Sequence, residues 1–218
     1  MGFYLFAQCN FVAGRYADWQ AAYDELAVHV FNEEHTTETY YFGIPFEYKD
    51  DMDATISMFA FEVYGKREDL YETHFNSAAM QGFLKKIPST MSTGLDLMHY
   101  SLSGGFIDKP GDKTECELMQ DIRILSASPS ARSAILSRFN TVLAAAEAGS
   151  PDVLTLMSFA SLDDDVSARI YARFKTRAAY EAFQRRPDFV DFWMASKEDV
   201  KQMESHAYVP NGKGWLHR

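Results

Sequence analysis

Apolar residues in this 218-residue chain recur with two periods. Short runs rich in Phe, Tyr, Val and Ile alternate or are apolar throughout, as in "FYLFAQCNFV" (3–12), "TETYYFGI" (37–44), "ATISMFAFEVY" (54–64) and "GLDLMHYSLS" (94–103). Such runs predict strands. Between them, Trp19, Ala22, Tyr23, Leu26 and Val30 recur at helical spacing in 17–34, and Leu70, His74, Ser77 and Ala78 form a stripe in 66–87, with Pro88 as its stop. The order is β-α-β-β-α-β, the ferredoxin-like plan.

The second half repeats the order. Strands are predicted at 116–127, 153–162, 166–175 and 204–210, and helices at 130–149 and 177–196. Pro187 should break or kink the last helix. Laid over each other at an offset of 109, the halves match Tyr71-Glu72 with Tyr180-Glu181 and Phe83 with Phe192; at 114, Glu33 meets Glu147. The five-residue difference falls in the polar stretch 45–53, where insertions are tolerated. The Gly-, Pro- and charge-rich stretch 103–115 reads as a connection. The expected organisation is therefore a first repeat at 1–104, a linker at 105–115 and a second, divergent repeat at 116–218. The fold class is α+β. Each unit leaves one sheet face bare, so the two repeats are expected to pack sheet to sheet as an α/β barrel, a pseudo-dimer within one chain, with a homodimer still open to it. Burial on both faces also accounts for 54–64 being apolar on both alternations.

Composition narrows the function. A net charge of −10 argues against nucleic acid and against an anionic membrane surface. No apolar run approaches 18 residues, so no membrane span is expected. The N-terminus has no basic region ahead of a long apolar run, and Leu5-Phe6 does not suit a myristoylation signal. Cys9 and Cys116 form no metal motif, and two cysteines suit a reducing compartment. A cytoplasmic location is the expectation. The chain holds 17 Phe, 12 Tyr and 3 Trp, which fill cores and also line pockets for flat ligands. It shows no glycine-rich phosphate loop, nucleophile elbow or histidine pair at ligand spacing.

The pattern Glu33-x-x-Thr36, Tyr40-Tyr41-Phe42-Gly43, Phe61-Glu62-Val63-Tyr64 and His74-x-x-Ser77 resembles the antibiotic biosynthesis monooxygenase domain of the dimeric α/β-barrel superfamily. The first repeat carries the resemblance over about residues 3–102; the second carries it mainly as "YARFKTRAAYEAF". The family includes small oxygenases that oxidise anthrones or quinols with molecular oxygen and without flavin, metal or haem. The resemblance thus implies no cofactor, and a small aromatic substrate and oxygen as partners. The haem-degrading branch resembles an Asn-Trp-His set; Ala7 and Tyr64 stand here at the Asn and Trp positions, which disfavours that activity.

Alternation puts Ile56, Met58, Ala60, Glu62 and Tyr64 on one strand face, where Glu62 is a carboxyl in an apolar layer and a candidate base, unless it reaches water or an arginine at the strand end. Ser167, Arg169, Tyr171 and Arg173 take the matching face in the second repeat; they could hold an anionic oxygen or form structural ion pairs. His74 faces the sheet, and Phe183 stands at its place in the second repeat, as expected of a chain with one site or of simple drift. His99 and Tyr100 on the closing strand and Tyr41 on a short strand could adjoin the same layer or be plain core. The leading expectation is a cofactor-independent oxygenase of a flat phenolic, quinol- or anthrone-like molecule. His74 and Glu62 are its catalytic candidates; Tyr64, Tyr41, His99, Tyr100, Arg169, Tyr171 and Arg173 are its substrate contacts. The alternatives are a redox-neutral cyclase, isomerase or decarboxylase in the same pocket, and a non-catalytic small-molecule-binding or stress-related protein.

Overall fold

The structure, a computed structural model, describes residues 2–108 and 114–218. The first βαββαβ set is β1 (Phe3–Asn10), α1 (Tyr16–Glu33), β2 (Thr37–Pro45), β3 (Ser57–Tyr64), α2 (Ala78–Lys86) and β4 (Asp96–Ile107). The second is β5 (Leu118–Ser126), α3 (Pro129–Gly149), β6 (Val153–Ser161), β7 (Ser167–Phe174), a helix pair α4 (Arg177–Gln184) and α5 (Pro187–Ser196), and β8 (Val200–Trp215). The fold is α+β, with the ferredoxin-like plan written twice. By contacts the chain forms two compact units, Met1–His99 with Pro210–Arg218, and Tyr100–Val209.

In the first unit β3 pairs antiparallel with β1 and with β2. It is buried from Met58 to Tyr64, on both faces, as its unbroken apolar run requires. Helix α1 buries Trp19, Tyr23, Leu26 and Val30. Trp19 stacks on Tyr23 at 5.4 Å and meets Phe83 of α2 edge-on at 5.6 Å. The helix expected over 66–87 is broken. Asp69–His74 forms a π-helical turn, closed where Phe75 N–H donates to the Leu70 carbonyl at 2.9 Å, five residues back. Helix α2 then restarts, capped by Ser77 Oγ, which accepts from Met80 N–H at 3.1 Å. Ser77 is thus a cap, not a stripe residue, and Ala78 is exposed.

In the second unit β7 pairs with β5 and β6, which pair in turn with β8 and β4. Pro187 does divide the helical stretch: it is the first residue of α5, where its missing N–H costs nothing. Arg186 and Ser77 precede equivalent restarts, so both copies break at one place, only one of them with a proline.

Two boundary expectations change. Gly105–Ile107, read as linker, belong to β4. Gly105 has φ +124°, and a Cβ there would lie 2.2 Å from the Leu156 carbonyl oxygen, so this glycine serves a close backbone approach within the sheet rather than a flexible link. The rest of the expected linker, 109–113, lies outside the described residues. Contacts also divide the chain at His99 and Val209 rather than at 104 and 116, because β4 and β8 each run on from one unit into the other.

Candidate active site

Twelve residues (65–76) separate the end of β3 from the Ser77 cap; eleven (175–185) separate the end of β7 from Arg186. The extra residue is absorbed by the π turn, the usual way a helix accommodates a single insertion. The turn carries His74 at its last position and buries it to 2% exposure. His74 Nδ1 lies 2.8 Å from Oε2 of Glu34, the C-cap residue that follows α1 and is itself 3% exposed. A carboxylate only accepts, so the network assigns the proton to Nδ1 and leaves Nε2 as the basic nitrogen. The other Glu34 oxygen, Oε1, has no hydrogen-bond partner among the described residues; His29 Nε2 stands 3.6 Å from it.

Glu62 comes from β3. It pairs across the sheet with Leu5 and Tyr40, so all three share a face. Tyr64 O–H, two residues along the same face, donates to Glu62 Oε2 at 2.7 Å. Burial pushes the Glu62 carboxyl up to about 7; the His74 charge and the Tyr64 hydrogen bond pull the other way without prevailing. Burial also raises the Tyr23, Tyr40 and Tyr64 phenols well above 10, so all three stay protonated at neutral pH. The His74 ring lies 5.8 Å from Tyr40 and 6.0 Å from Tyr64.

Glu62 and His74, with Tyr23 and Tyr40, line a cavity of about 40 Å³ between the sheet and the helices of the first unit. Its walls include Trp19, Tyr23, Tyr40, Glu62 and His74. Phe75, Leu95 and Leu97 line it too and are only half-buried, which makes them its rim. Two buried donors in the wall, Trp19 Nε1–H and the Tyr23 hydroxyl, have no partner among the described residues.

Of the residues expected at the site, Glu62, Tyr64 and His74 come together here. His99 lies on the same side of the sheet but outside the cavity, 2.6 Å from the Tyr71 hydroxyl and stacked on Phe3 at 5.6 Å. Tyr41 pairs with Phe61 and faces away from the cavity; Tyr40 takes the place expected of it. The second-repeat residues need a larger correction. Gly65 N–H donates to Thr36 O, and Lys175 N–H to Asp152 O, which fixes the strand offset at 110, not 109. Ala172 and Phe174, not Tyr171 and Arg173, therefore match Glu62 and Tyr64. A one-residue slip sends each side chain to the other face. The helix-side face of β5 is marked by Gln120, which accepts from Gln184 of α4 at 3.0 Å. The opposite face carries the arginines. Arg169 donates twice to Asp121, at 2.5 and 2.7 Å, with Tyr100 5.4 Å away beneath the guanidinium. Tyr171 donates to Met119 Sδ, and Arg173 donates to Asp108 and Glu115. Arg169, Tyr171 and Arg173, with Tyr100, make these contacts within the second unit.

Sequence reasoning missed Glu34. It stands beside Glu33 in "NEEH", and neither periodicity nor spacing distinguishes the two. The signal lies in the helix end: Glu33 is the last exposed helical residue, and Glu34 is the cap that turns inward.

Among the described residues, no cluster of three or more His, Cys, Asp and Glu is placed to hold a metal, and no helix is long and apolar enough to cross a membrane.

The fold has solved counterparts over the whole chain. A protein of Fusobacterium nucleatum provisionally named a monooxygenase matches with a TM-score of 0.78 at 10% identity, over 100% of this chain and 97% of its own. One of Lactobacillus acidophilus, also provisionally named a monooxygenase, matches at 0.76 and 9%, over 100% and 99%. An anthrone oxidase-like protein matches at 0.63 and 11%, over 98% and 93%. At these identities the likeness is one of fold alone. No family profile matches the sequence, and no curated protein does.

Proposed function

We propose that this chain is a cofactor-independent oxygenase of a flat, neutral phenolic, quinol- or anthrone-like molecule. The observation that carries the reading is an acid and a base on one cavity lined by aromatic side chains. His74 offers Nε2 as the base, and an imidazole is well matched to proton transfer near neutral pH. Glu62, which keeps its proton up to about pH 7, is the acid; Tyr64 fixes one of its oxygens and leaves the other for the substrate. Trp19 Nε1–H and the Tyr23 hydroxyl are donors in want of acceptors, which ring oxygens would supply. Among the described residues no Lys or Arg lines the cavity, so a neutral ring suits it better than a carboxylate. The neighbours' provisional names, monooxygenase and anthrone oxidase-like, support the same class.

In the reaction, His74 takes a proton from the activated C–H or O–H group, and Glu62 donates a hydrogen bond to the oxygen on which charge develops. The substrate anion gives its electrons to dioxygen and a C–O bond forms. The peroxide takes a proton and loses water, so that R₂CH₂ + O₂ gives R₂C=O + H₂O with no external reductant. At about 40 Å³ the cavity has room for water or a diatomic gas, not for a ring. The ring enters as Phe75, Leu95 and Leu97 move aside.

The test is oxygen uptake by metal-stripped, flavin-free protein with anthrone and with hydroquinones. One oxygen consumed per carbonyl formed, with turnover cut about 10²- to 10⁴-fold in His74→Ala, supports the reading. Isomerised or decarboxylated product without oxygen uptake moves it to the redox-neutral class. Neither uptake nor product with any ring overturns it.

A further inference from the structure

We propose that Glu34 is the positioning residue of this site: it holds His74 in the tautomer that presents Nε2 to the cavity and stabilises the imidazolium formed when His74 takes a proton. The proposal rests on the reading of His74 as a base. Three observations carry it.

The first is geometry. Glu34 Oε2 lies 2.8 Å from His74 Nδ1, with both side chains 3% exposed. A carboxylate at that nitrogen, away from water, fixes the ring and favours its charged form. The second is cost. Glu34 Oε1 is buried with no hydrogen-bond partner among the described residues, and His29 Nε2 is 3.6 Å off. A buried carboxylate half-satisfied in this way is a poor device for stability; a glutamine would make the same contact with His74 and bury no charge.

The third is the second copy of the plan. The N–H after α1 bonds back to Val30 O and the one after α3 to Ala146 O, while Thr37 N–H donates to Glu34 O and Val153 N–H to Ser150 O. Ser150 is therefore the counterpart of Glu34, as Phe183 is of His74. Both members of the pair are present in the first unit and both are replaced in the second. There the same position is a groove of about 400 Å³, lined by Ala145, Ser150 and Phe183 among others. The first unit fills its place with His29, Glu34 and His74.

The experiment is Glu34→Gln in full-length protein, read in three ways. Thermal unfolding is expected unchanged or higher. With a turned-over ring substrate, kcat is expected to fall about tenfold or more with KM within twofold, since what is lost acts on the charged transition state. By nitrogen NMR, with His74 assigned from its absence in His74→Phe, the imidazole midpoint is expected to drop by about one pH unit or more. That last measurement needs no substrate. An unmoved His74 midpoint, or a large loss of melting temperature with kcat intact, overturns the proposal and leaves Glu34 a structural residue. A moved midpoint in a protein that oxidises no ring upholds the pair and rejects the oxygenase reading instead. Should Glu34→Gln not fold, Glu34→Ser, the second unit's own residue, carries the same titration.

Discussion

At position 74 the two copies differ by a side chain and by the partner that side chain needs. His74→Phe copies Phe183, but it strands a buried Glu34 carboxylate, and breaking a buried pair from one side costs about 3 kcal/mol or more. The expected outcome is a folded but weakened protein. The double substitution Glu34→Ser/His74→Phe copies the second unit in full and should recover most of that loss in denaturant titration while remaining inactive. Additive losses would show that the two residues do not act as a pair. Glu62 makes a prediction of opposite sign to the usual carboxylate. Its folded pKa, about 7, is raised from 4.5. Between those values the folded chain keeps a proton that the unfolded chain releases, so stability declines as pH rises from about 4.5 to 7 and then levels. The decline is on the order of 3 kcal/mol. Glu62→Gln should remove it, so that urea midpoints of mutant and wild type diverge between pH 5 and 8, with the mutant the more stable at pH 8. As the acid of the reaction, Glu62 should also set a falling limb of kcat/KM near pH 7. That limb should vanish in Glu62→Gln, whose amide still donates; complete inactivity of that variant would make Glu62 a base instead.

The element that decides the site is the π turn. Its one extra residue, relative to the second copy, sets where His74 lies against the sheet. Deleting Thr73, an exposed residue inside the turn, should relax 69–74 to an ordinary helical turn and rotate His74 by about 100° about the helix axis. The fold should persist, because the second unit spans the same connection with eleven residues. Activity should fall as far as in His74→Ala. Circular dichroism close to wild type together with full turnover would deny the turn any role in placing the histidine.

For the whole molecule, the consequential feature is that Pro210–Arg218 belongs to the first unit. Thr39 Oγ1 donates to the Leu216 carbonyl at 2.8 Å, and Trp215 lies 5.4 Å from Tyr40, the aromatic neighbour of His74. Gly214, at φ +73°, lets the strand approach so closely that a Cβ would lie 1.8 Å from Tyr40 O. Deleting 210–218 is therefore expected to loosen Tyr40, weaken near-ultraviolet circular dichroism and reduce turnover at least tenfold, while far-ultraviolet signal largely remains. Unchanged near-ultraviolet spectra would mean that the segment does not support the cavity wall.

The sequence by itself determined the element order, its duplication, the break at Pro187 and the inward aim of His74. Each follows from local periodicity or from a backbone rule that needs no knowledge of neighbours. Tertiary structure alone decided three other matters. Glu34 and Glu33 are chemically identical neighbours, and only the way α1 ends turns one of them to His74. Gly105 looks like a linker glycine until Leu156 lies against it. An offset of 109, which fits the helices, sets Arg169, Tyr171 and Arg173 against the Glu62 face. The strands obey 110, and with a side-chain period of two that single residue sends the arginines to the other face of the sheet. An insertion hidden in a π turn leaves no mark in hydrophobic periodicity, because 3.6-residue patterning tolerates one extra residue where strand register does not.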